Sequence, residues 1–134
     1  MNYWIVKSEP FKYSWDEFLR DGITYWDGVR NYQARNNLKA MKKGDWALFY
    51  HSNKGLEVMG VALVVRESYQ DPTTSDDRWV VVDLKPVRTL EKPVPLSEIR
   101  KDPALKEIPL IRQSRLSVMP VSKTEFDRII SKSR

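Results

Sequence analysis

Residues 44–65, "GDWALFYHSNKGLEVMGVALVV", contain the pattern from which the fold is predicted first. Within it, residues 45–52 alternate two sets of apolar side chains, and residues 57–69 begin a valine-rich run, as β-strands tend to do. The "SNKG" tetrapeptide between the two segments contains residue types that form tight turns. The stretch therefore predicts two antiparallel strands joined by a hairpin loop.

Further strands are predicted on both sides of this hairpin. Residues 2–7, "NYWIVK", alternate as a pleated strand requires, and residues 78–89 contain a second valine-rich run. A last strand is predicted within "PLIRQSRLSVMPV", residues 109–121, together with a turn or short helix. Because the connections after residue 45 are short and turn-like, we expect mostly antiparallel neighbours.

Two helices have clear start signals. Ser14 with Glu17, and Ser122 with Glu125, have the serine-to-glutamate spacing of a capping box. Apolar side chains follow each box at helical spacing, which gives each helix a face for the core. A shorter helix is predicted near residues 96–101, in a segment punctuated by prolines.

Another helix is predicted over residues 31–43. Asn31 is a suitable N-cap and Gly44 a suitable stop. Basic side chains fall together on a face separate from the apolar one; they are Arg35, Lys39 and Lys42. The elements add up to an α+β fold, with a curved, mostly antiparallel sheet or small barrel flanked by helices.

Composition limits the classes of function. With 134 residues, 41% hydrophobic and 31% charged, the chain is expected to form one domain over residues 1–134 rather than a disordered segment. It has no cysteine and one histidine, which excludes disulfides, thiol catalysis and metal sites built from several such ligands. No phosphate-binding glycine loop or nucleophile elbow is present. The net charge of +5 favours an anionic partner, nucleic acid first.

The stretch "YWDGVRNYQARNN", residues 25–37, is the first candidate site. It places an aromatic pair next to a turn at Gly28 and then a series of amide and guanidinium side chains. Trp26 has two interpretations that the sequence leaves open: packing in the core, or a platform on which a base stacks. Gly28 would let a ligand approach the backbone closely.

Polar side chains at two strand ends are further candidates. Ser8 and Glu9 end the first strand, and His51 lies near the end of the strand that contains "YHS". Each is consistent either with an ordinary strand end or with a group that reads the edge of a ligand. A small enzyme that uses Glu9 and His51 as acid and base is the rival hypothesis.

Arginines near the end of the chain are candidates for phosphate contact. Arg112 and Arg115 lie beside serines in "RQSRLSV", residues 112–118. Phosphate contacts fix a nucleic-acid backbone without reading its sequence. The alternative for these arginines, and for the basic helix face, is ordinary solvation.

Taken in order along the chain, these pieces resemble one family. "WIVKSEP", "YWDGVRNYQARNNLKAMKKGDWALFYHS", "GVALVV" and "RLSVMPV" are similar to the EVE domain family, over nearly the whole chain. The resemblance implies a PUA-like fold, a small β-barrel flanked by helices. It also implies kinship with YTH, ASCH and SRA-type domains, which bind nucleic acids and often recognise a modified base.

The resemblance implies roles for particular residues. Trp26 matches the first cage tryptophan of YTH-like domains, and Trp79 is the candidate for a second cage aromatic. Ser8 and Glu9 match the edge-reading positions, and an acceptor at Glu9 suits a base with an amino or imino donor, such as a modified cytosine. The other matches are the strand end that closes the pocket (Tyr50, His51, Ser52), the signature helix (Asn31, Arg35, Asn36) and the "RLSV" motif (Arg115, Ser117).

The sequence thus leads to a non-enzymatic, nucleic-acid-binding domain that recognises a modified base of DNA or RNA. Its alternative is a small enzyme or metabolite-binding module that uses the same pocket. We expect a cytoplasmic monomer with no cofactor, no metal and no membrane association. The predicted base pocket comprises Ser8, Glu9, Trp26, Gly28, Asn31, Tyr50, His51, Ser52 and Trp79, and the predicted phosphate contacts are Arg30, Arg35, Lys39, Arg112 and Arg115.

Overall fold

The computed structural model of the protein describes residues 1–134. Its strands are β1 (Tyr3–Ser8), β2 (Thr24–Tyr25), β3 (Trp46–His51), β4 (Glu57–Gln70), β5 (Val80–Pro95) and β6 (Val118–Val121). Its α-helices are α1 (Trp15–Asp21), α2 (Tyr32–Ala40), α3 (Leu96–Arg100), α4 (Pro109–Arg112) and α5 (Lys123–Ser131), and a 3₁₀ turn covers Pro103–Leu105. The predicted α+β class is confirmed.

The six strands form one mixed sheet in the order β2-β5-β4-β3-β1-β6. The β3–β4 hairpin is antiparallel, as residues 44–65 predict, and β4 pairs with β5 in the same sense. The pairing of β1 with β3 is parallel. Parallel neighbours need a crossover connection, and here α1, β2 and α2 supply it.

The expectation of a closed barrel is wrong, because the edge strands β2 and β6 are not paired with each other. β2 has only two residues and β6 only four, and Pro120 in β6 lacks a backbone donor. Helix α2 packs against both β6 and β5, near opposite edges of the sheet. A helix therefore occupies part of the space across which the edges would have to meet.

The helix starts follow the predicted caps. The Ser14 and Ser122 capping boxes are both formed, and the Asn31 side chain accepts a hydrogen bond from the Ala34 N–H at 2.9 Å. Helix α2 ends at Ala40, three residues earlier than predicted, because Met41 turns to an extended conformation. The Met41 side chain is thereby buried in the core.

The largest side chain of the core lies against a residue with no side chain. The Trp15 indole is buried over Gly60 of β4, and a Cβ built on Gly60 would lie 2.2 Å from Trp15 Cζ2. The Trp15 Nε1–H donates to Thr89 Oγ1 of β5 at 2.9 Å. Around it, the Phe18 and Phe49 rings stack at 5.4 Å, and Trp26 meets Phe49 edge-on at 5.5 Å.

A buried carboxylate fastens the start of the chain to the sheet. Asp45, which is 2% exposed, precedes β3 and accepts hydrogen bonds from three N–H groups. They are the backbone N–H of Asn2 at 3.0 Å, the indole N–H of Trp4 at 3.0 Å and the backbone N–H of Lys42 at 2.9 Å. One carboxylate thus holds β1, the end of α2 and β3 in register.

A second buried carboxylate, Asp102, holds helix α5. Its oxygens accept from Arg128 Nε and Nη2 at 2.6 and 2.9 Å and lie 3.0 Å from Lys132 Nζ. We predict that Asp102→Asn lowers the free energy of unfolding by about 2 kcal/mol, because two cations lose their counter-charge. Urea unfolding measures it, and Asp127→Asn, on an exposed i,i+4 pair with Lys123, is the matched control with an expected loss under about 0.5 kcal/mol.

Two further observations bear on the class of function. None of the helices combines the length and apolar character that crossing a bilayer requires. No group of three or more histidine, aspartate or glutamate side chains is arranged to hold a metal ion.

Candidate functional site

The protein contains a cavity with a volume of about 940 Å³. It lies where β1 ends, and five separate segments form its wall. The lining residues are Lys7, Ser8, Glu9, Lys12, Tyr13, residues 24–29, Ser52, Asn53, Ser114, Arg115 and Ser117. We call it the main cavity.

Backbone pairing explains why these distant segments meet. Parallel pairing of β1 with β3 brings the ends of the two strands together, and the Ser52 N–H donates to the Ser8 carbonyl at 2.9 Å. On the β6 side, the Lys7 N–H donates to the Ser117 carbonyl at 2.9 Å. The Trp26 N–H donates to the Val82 carbonyl of β5 at 2.8 Å, which fixes the turn after β2.

The structure brings some of the predicted site residues together and leaves others elsewhere. Those that line the main cavity are Ser8, Glu9, Trp26, Gly28, Ser52 and Arg115. Those predicted for the base pocket that do not line it are Asn31, Tyr50, His51 and Trp79.

The aromatic wall of the main cavity differs from the expectation. Trp26 is only 7% exposed, because its ring packs edge-on against Phe49 and Tyr13 in the core. Its neighbour Tyr25 is 44% exposed and lines the same cavity. β2 ends at Tyr25, and the side chains of Tyr25 and the adjoining Trp26 point in opposite directions, Tyr25 outward and Trp26 into the core. Because the sequence left the burial of Trp26 open, alternation alone did not show which of the two rings is accessible.

Hydrogen-bond acceptors and hydrogen-bond donors both face the main cavity. The Glu9 carboxylate lies 3.4 Å from Lys12 Nζ, an exposed pair that leaves acceptor capacity free. The Lys7 ammonium donates to the Ser114 carbonyl at 2.7 Å, and burial lowers the pKa of this lysine. Lys7 was missed from the sequence, where nothing separates it from an ordinary strand-end lysine.

The strand end at Tyr50 and His51 has a structural role. Tyr50 is buried, and burial raises the pKa of its phenol to about 12. His51 Nε2 accepts a hydrogen bond from the Trp15 backbone N–H at 3.0 Å, and burial lowers the pKa of the imidazole. The neutral His51 ring thus positions the start of α1, and it does not share the main cavity with Glu9 as the acid–base hypothesis requires.

Trp79, which is 8% exposed, belongs to a cluster outside the main cavity. Its ring stacks on Tyr32 at 5.3 Å, and the Arg30 guanidinium lies 5.5 Å from its centroid while pairing with Asp71 at 3.1 Å. Arg35 lies over Tyr32 at 4.9 Å. Trp79, Arg30 and Arg35 therefore contact other residues of this cluster and do not line the main cavity. The long polar connection before β5 gave no sign of these contacts in the sequence.

A second, smaller cavity of about 310 Å³ adjoins the main one. Its lining residues are Asn31, Gln33, Arg112, Gln113, Ser114, Arg115 and Leu116, and it shares Ser114 and Arg115 with the main cavity. Asn31, predicted for the base pocket, and Arg112, predicted for phosphate contact, thus line the smaller cavity and not the main one. Lys39 is exposed on α2 and lines neither cavity.

The mixed sheet, its flanking helices and the cavity at the end of β1 define the class of protein. The YTH domain of Zygosaccharomyces rouxii MRB1 has the same fold, with a TM-score of 0.64 at 16% sequence identity over 98% of this chain and 86% of that chain. This likeness shows that the chain shares the fold of that YTH domain. Within that class, the EVE domain family model matches residues 2–132, and the chain belongs to the EVE domain family. The resemblance predicted from the sequence is confirmed.

The chain is similar to proteins from several organisms. Mouse (Mus musculus) thymocyte nuclear protein 1 is 37% identical over 97% of this chain and 73% of its own length. The crystal structure of protein Atu2648 from Agrobacterium tumefaciens has a TM-score of 0.95 at 43% identity, covering 99% of this chain and 93% of that chain. Human THYN1 protein in complex with 5-methylcytosine-containing DNA has a TM-score of 0.90 at 34% identity, covering 100% of this chain and 98% of that chain.

Proposed function

We propose that this chain is a DNA-binding domain that holds one modified cytosine base in the main cavity and performs no chemical step on it. The observation that carries the proposal is the similarity, over the whole chain, to human THYN1 in complex with 5-methylcytosine-containing DNA. The supporting geometry is a cavity at the same strand end where the sequence resemblance implies a base pocket.

The main cavity has the chemistry that a nucleobase needs. An exposed aromatic ring, Tyr25, lies beside it for stacking, and the edge of Trp26 extends the apolar wall. The Glu9 carboxylate accepts hydrogen bonds, and the exocyclic amino group of cytosine donates them. A base must leave the duplex stack to reach such a cavity, which costs a few kcal/mol.

The charge of the protein favours a nucleic-acid ligand over a neutral metabolite. Its net charge is +5, and Arg115 at the cavity mouth makes no salt bridge. We propose that Arg115 contacts a backbone phosphate. Binding should then weaken steeply as the salt concentration rises, which binding of an uncharged metabolite would not do.

The sharpest test of the proposal compares two exposed tyrosines. We predict that Tyr25→Ala weakens binding of an oligonucleotide with one 5-methylcytosine by roughly 10- to 100-fold, because base–aromatic stacking contributes about 1–3 kcal/mol. Tyr32→Ala is the matched control, since Tyr32 is 52% exposed and lies outside both cavities. Fluorescence anisotropy of labelled oligonucleotides, modified and unmodified, measures both.

The preference for the modified base is the decisive quantity. We expect wild type and Tyr32→Ala to bind the modified oligonucleotide more tightly than the unmodified one, and Tyr25→Ala to lose most of that preference. Glu9→Gln should weaken binding of both oligonucleotides, because cytosine and 5-methylcytosine carry the same exocyclic amino group. Equal affinity for both oligonucleotides in wild type would contradict base recognition. An unchanged preference in Tyr25→Ala, together with unchanged binding of both oligonucleotides by Glu9→Gln, would mean that the base lies outside the main cavity.

A further inference from the structure

The smaller cavity is a second, distinct feature of this surface. It shares Ser114 and Arg115 with the main cavity, and we call the boundary between the two cavities at these residues the Ser114–Arg115 ridge. The turn that follows α4 supplies one wall and the start of α2 the other. Whatever occupies the main cavity therefore has this second cavity as its immediate neighbour.

Every side chain that lines the smaller cavity, except that of Leu116, carries a hydrogen-bond donor. No acidic residue lines it, and Leu116 is its only hydrophobic residue. The side chains of Gln33, Gln113 and Arg115 make no hydrogen bond within the protein. Without an aromatic ring the cavity offers a base no stacking surface, whereas amide and guanidinium N–H groups suit the oxygens of an anion.

One lining arginine is already partly occupied. Arg112 donates from Nε and Nη2 to the Glu107 carboxylate at 3.0 and 2.6 Å, which raises the pKa of Arg112. This pair fixes the guanidinium in place and offsets much of its charge. The unpaired positive charge of the smaller cavity consequently lies on Arg115, at the ridge.

We propose that the smaller cavity is a subsite for the phosphodiester group next to the base held in the main cavity. The proposal rests on the proposed function and adds the path of the strand: the sugar–phosphate chain crosses the Ser114–Arg115 ridge. Both phosphates of a nucleotide are bound to the sugar that carries its base. With a base in the main cavity, we place one of these phosphates at this ridge, beside Gln33 and Gln113, which line the smaller cavity.

A matched set of substitutions is available, because the chain has three glutamines, Gln33, Gln70 and Gln113. Glutamine to glutamate keeps the size and adds one negative charge. We expect Gln33→Glu and Gln113→Glu each to weaken binding of the 5-methylcytosine oligonucleotide by about tenfold, since a carboxylate would face a phosphate. Gln70→Glu, at the far end of β4, should change it less than about twofold by its charge alone.

Neutralising single phosphates identifies the contact itself. Oligonucleotides carrying one methylphosphonate, placed 5′ or 3′ of the modified base, lack the charge at that position. We expect one of the two to bind wild type more weakly and to remove the difference between Gln113→Glu and Gln70→Glu. If Gln33→Glu and Gln113→Glu bind like Gln70→Glu, the subsite is wrong, even where the preference for 5-methylcytosine persists. Loss of that preference in wild type would instead overturn the proposed function.

Discussion

Gly60→Ala is expected to lower the free energy of unfolding by about 3 kcal/mol, a large effect for the addition of one methyl group. The added Cβ would lie 2.2–2.7 Å from three atoms of the Trp15 ring, well inside van der Waals contact. The ring has no room to retreat, because it is buried and contacts Phe18 and Phe49. Either the indole leaves its place or β4 bends away from α1.

Urea unfolding followed by circular dichroism measures the loss. Trp15→Leu provides the companion variant, since leucine has no ring over Gly60. Trp15→Leu should itself cost several kcal/mol, about 3 or more for a buried tryptophan. Adding Gly60→Ala to it should cost much less than adding Gly60→Ala to wild type. Equal costs in the two backgrounds would mean that the clash with the indole is not the cause.

Asp45→Asn is expected to destabilise the protein by about 3 kcal/mol, since a hydrogen bond to a charged group contributes about 1.5–3 kcal/mol. An asparagine keeps one oxygen, which at the Oδ2 position would still accept from Trp4 and Lys42. Its NH₂ group would then face the backbone N–H of Asn2, and that donor is left without an acceptor. Asp77→Asn, at an exposed position with no salt bridge, is the matched control and should change stability by less than about 0.5 kcal/mol.

The same carboxylate predicts how stability depends on pH. Burial disfavours the charge of Asp45, but the backbone N–H groups of Asn2 and Lys42 and the indole N–H of Trp4 outweigh it and hold its pKa below the usual 3.8. The stabilisation is therefore present above the unfolded-state pKa and is lost as the pH falls through the lower, folded-state pKa. Urea midpoints of wild type should fall more steeply between about pH 4 and pH 2 than those of Asp45→Asn. Parallel pH profiles would contradict this role.

Local signals predicted most of the fold. The alternation in residues 44–65 gave the hairpin, and the capping boxes at Ser14 and Ser122 gave two helix starts. The pairing between segments that are distant in the sequence was not predicted. The parallel pairing of β1 with β3 joins strands separated by two helices, and no local pattern encodes it. The open edges follow from the shortness of β2 and β6, which hydrophobic periodicity does not show.

The candidate site divides in the same way. Ser8, Glu9, Gly28 and Ser52 lie at element ends that meet in the main cavity, and their role there stays a prediction. Trp26 and His51 were ambiguous because their sequence context fits core and surface equally. Their partners decide the matter: Phe49 and Tyr13 for Trp26, and the Trp15 backbone for His51.

The five segments that form the main cavity are spread from Lys7 to Ser117, so the cavity exists only when the whole chain is folded. A ligand bound there is consequently linked to global stability, with a gain of about 2.7 kcal/mol when its free concentration is a hundred times its Kd. The thermal unfolding midpoint, Tm, therefore rises when a ligand binds, and the size of the rise reports how tightly it binds. A library of modified nucleosides and short oligonucleotides can be ranked by the rise in Tm that each produces, with no label on either partner.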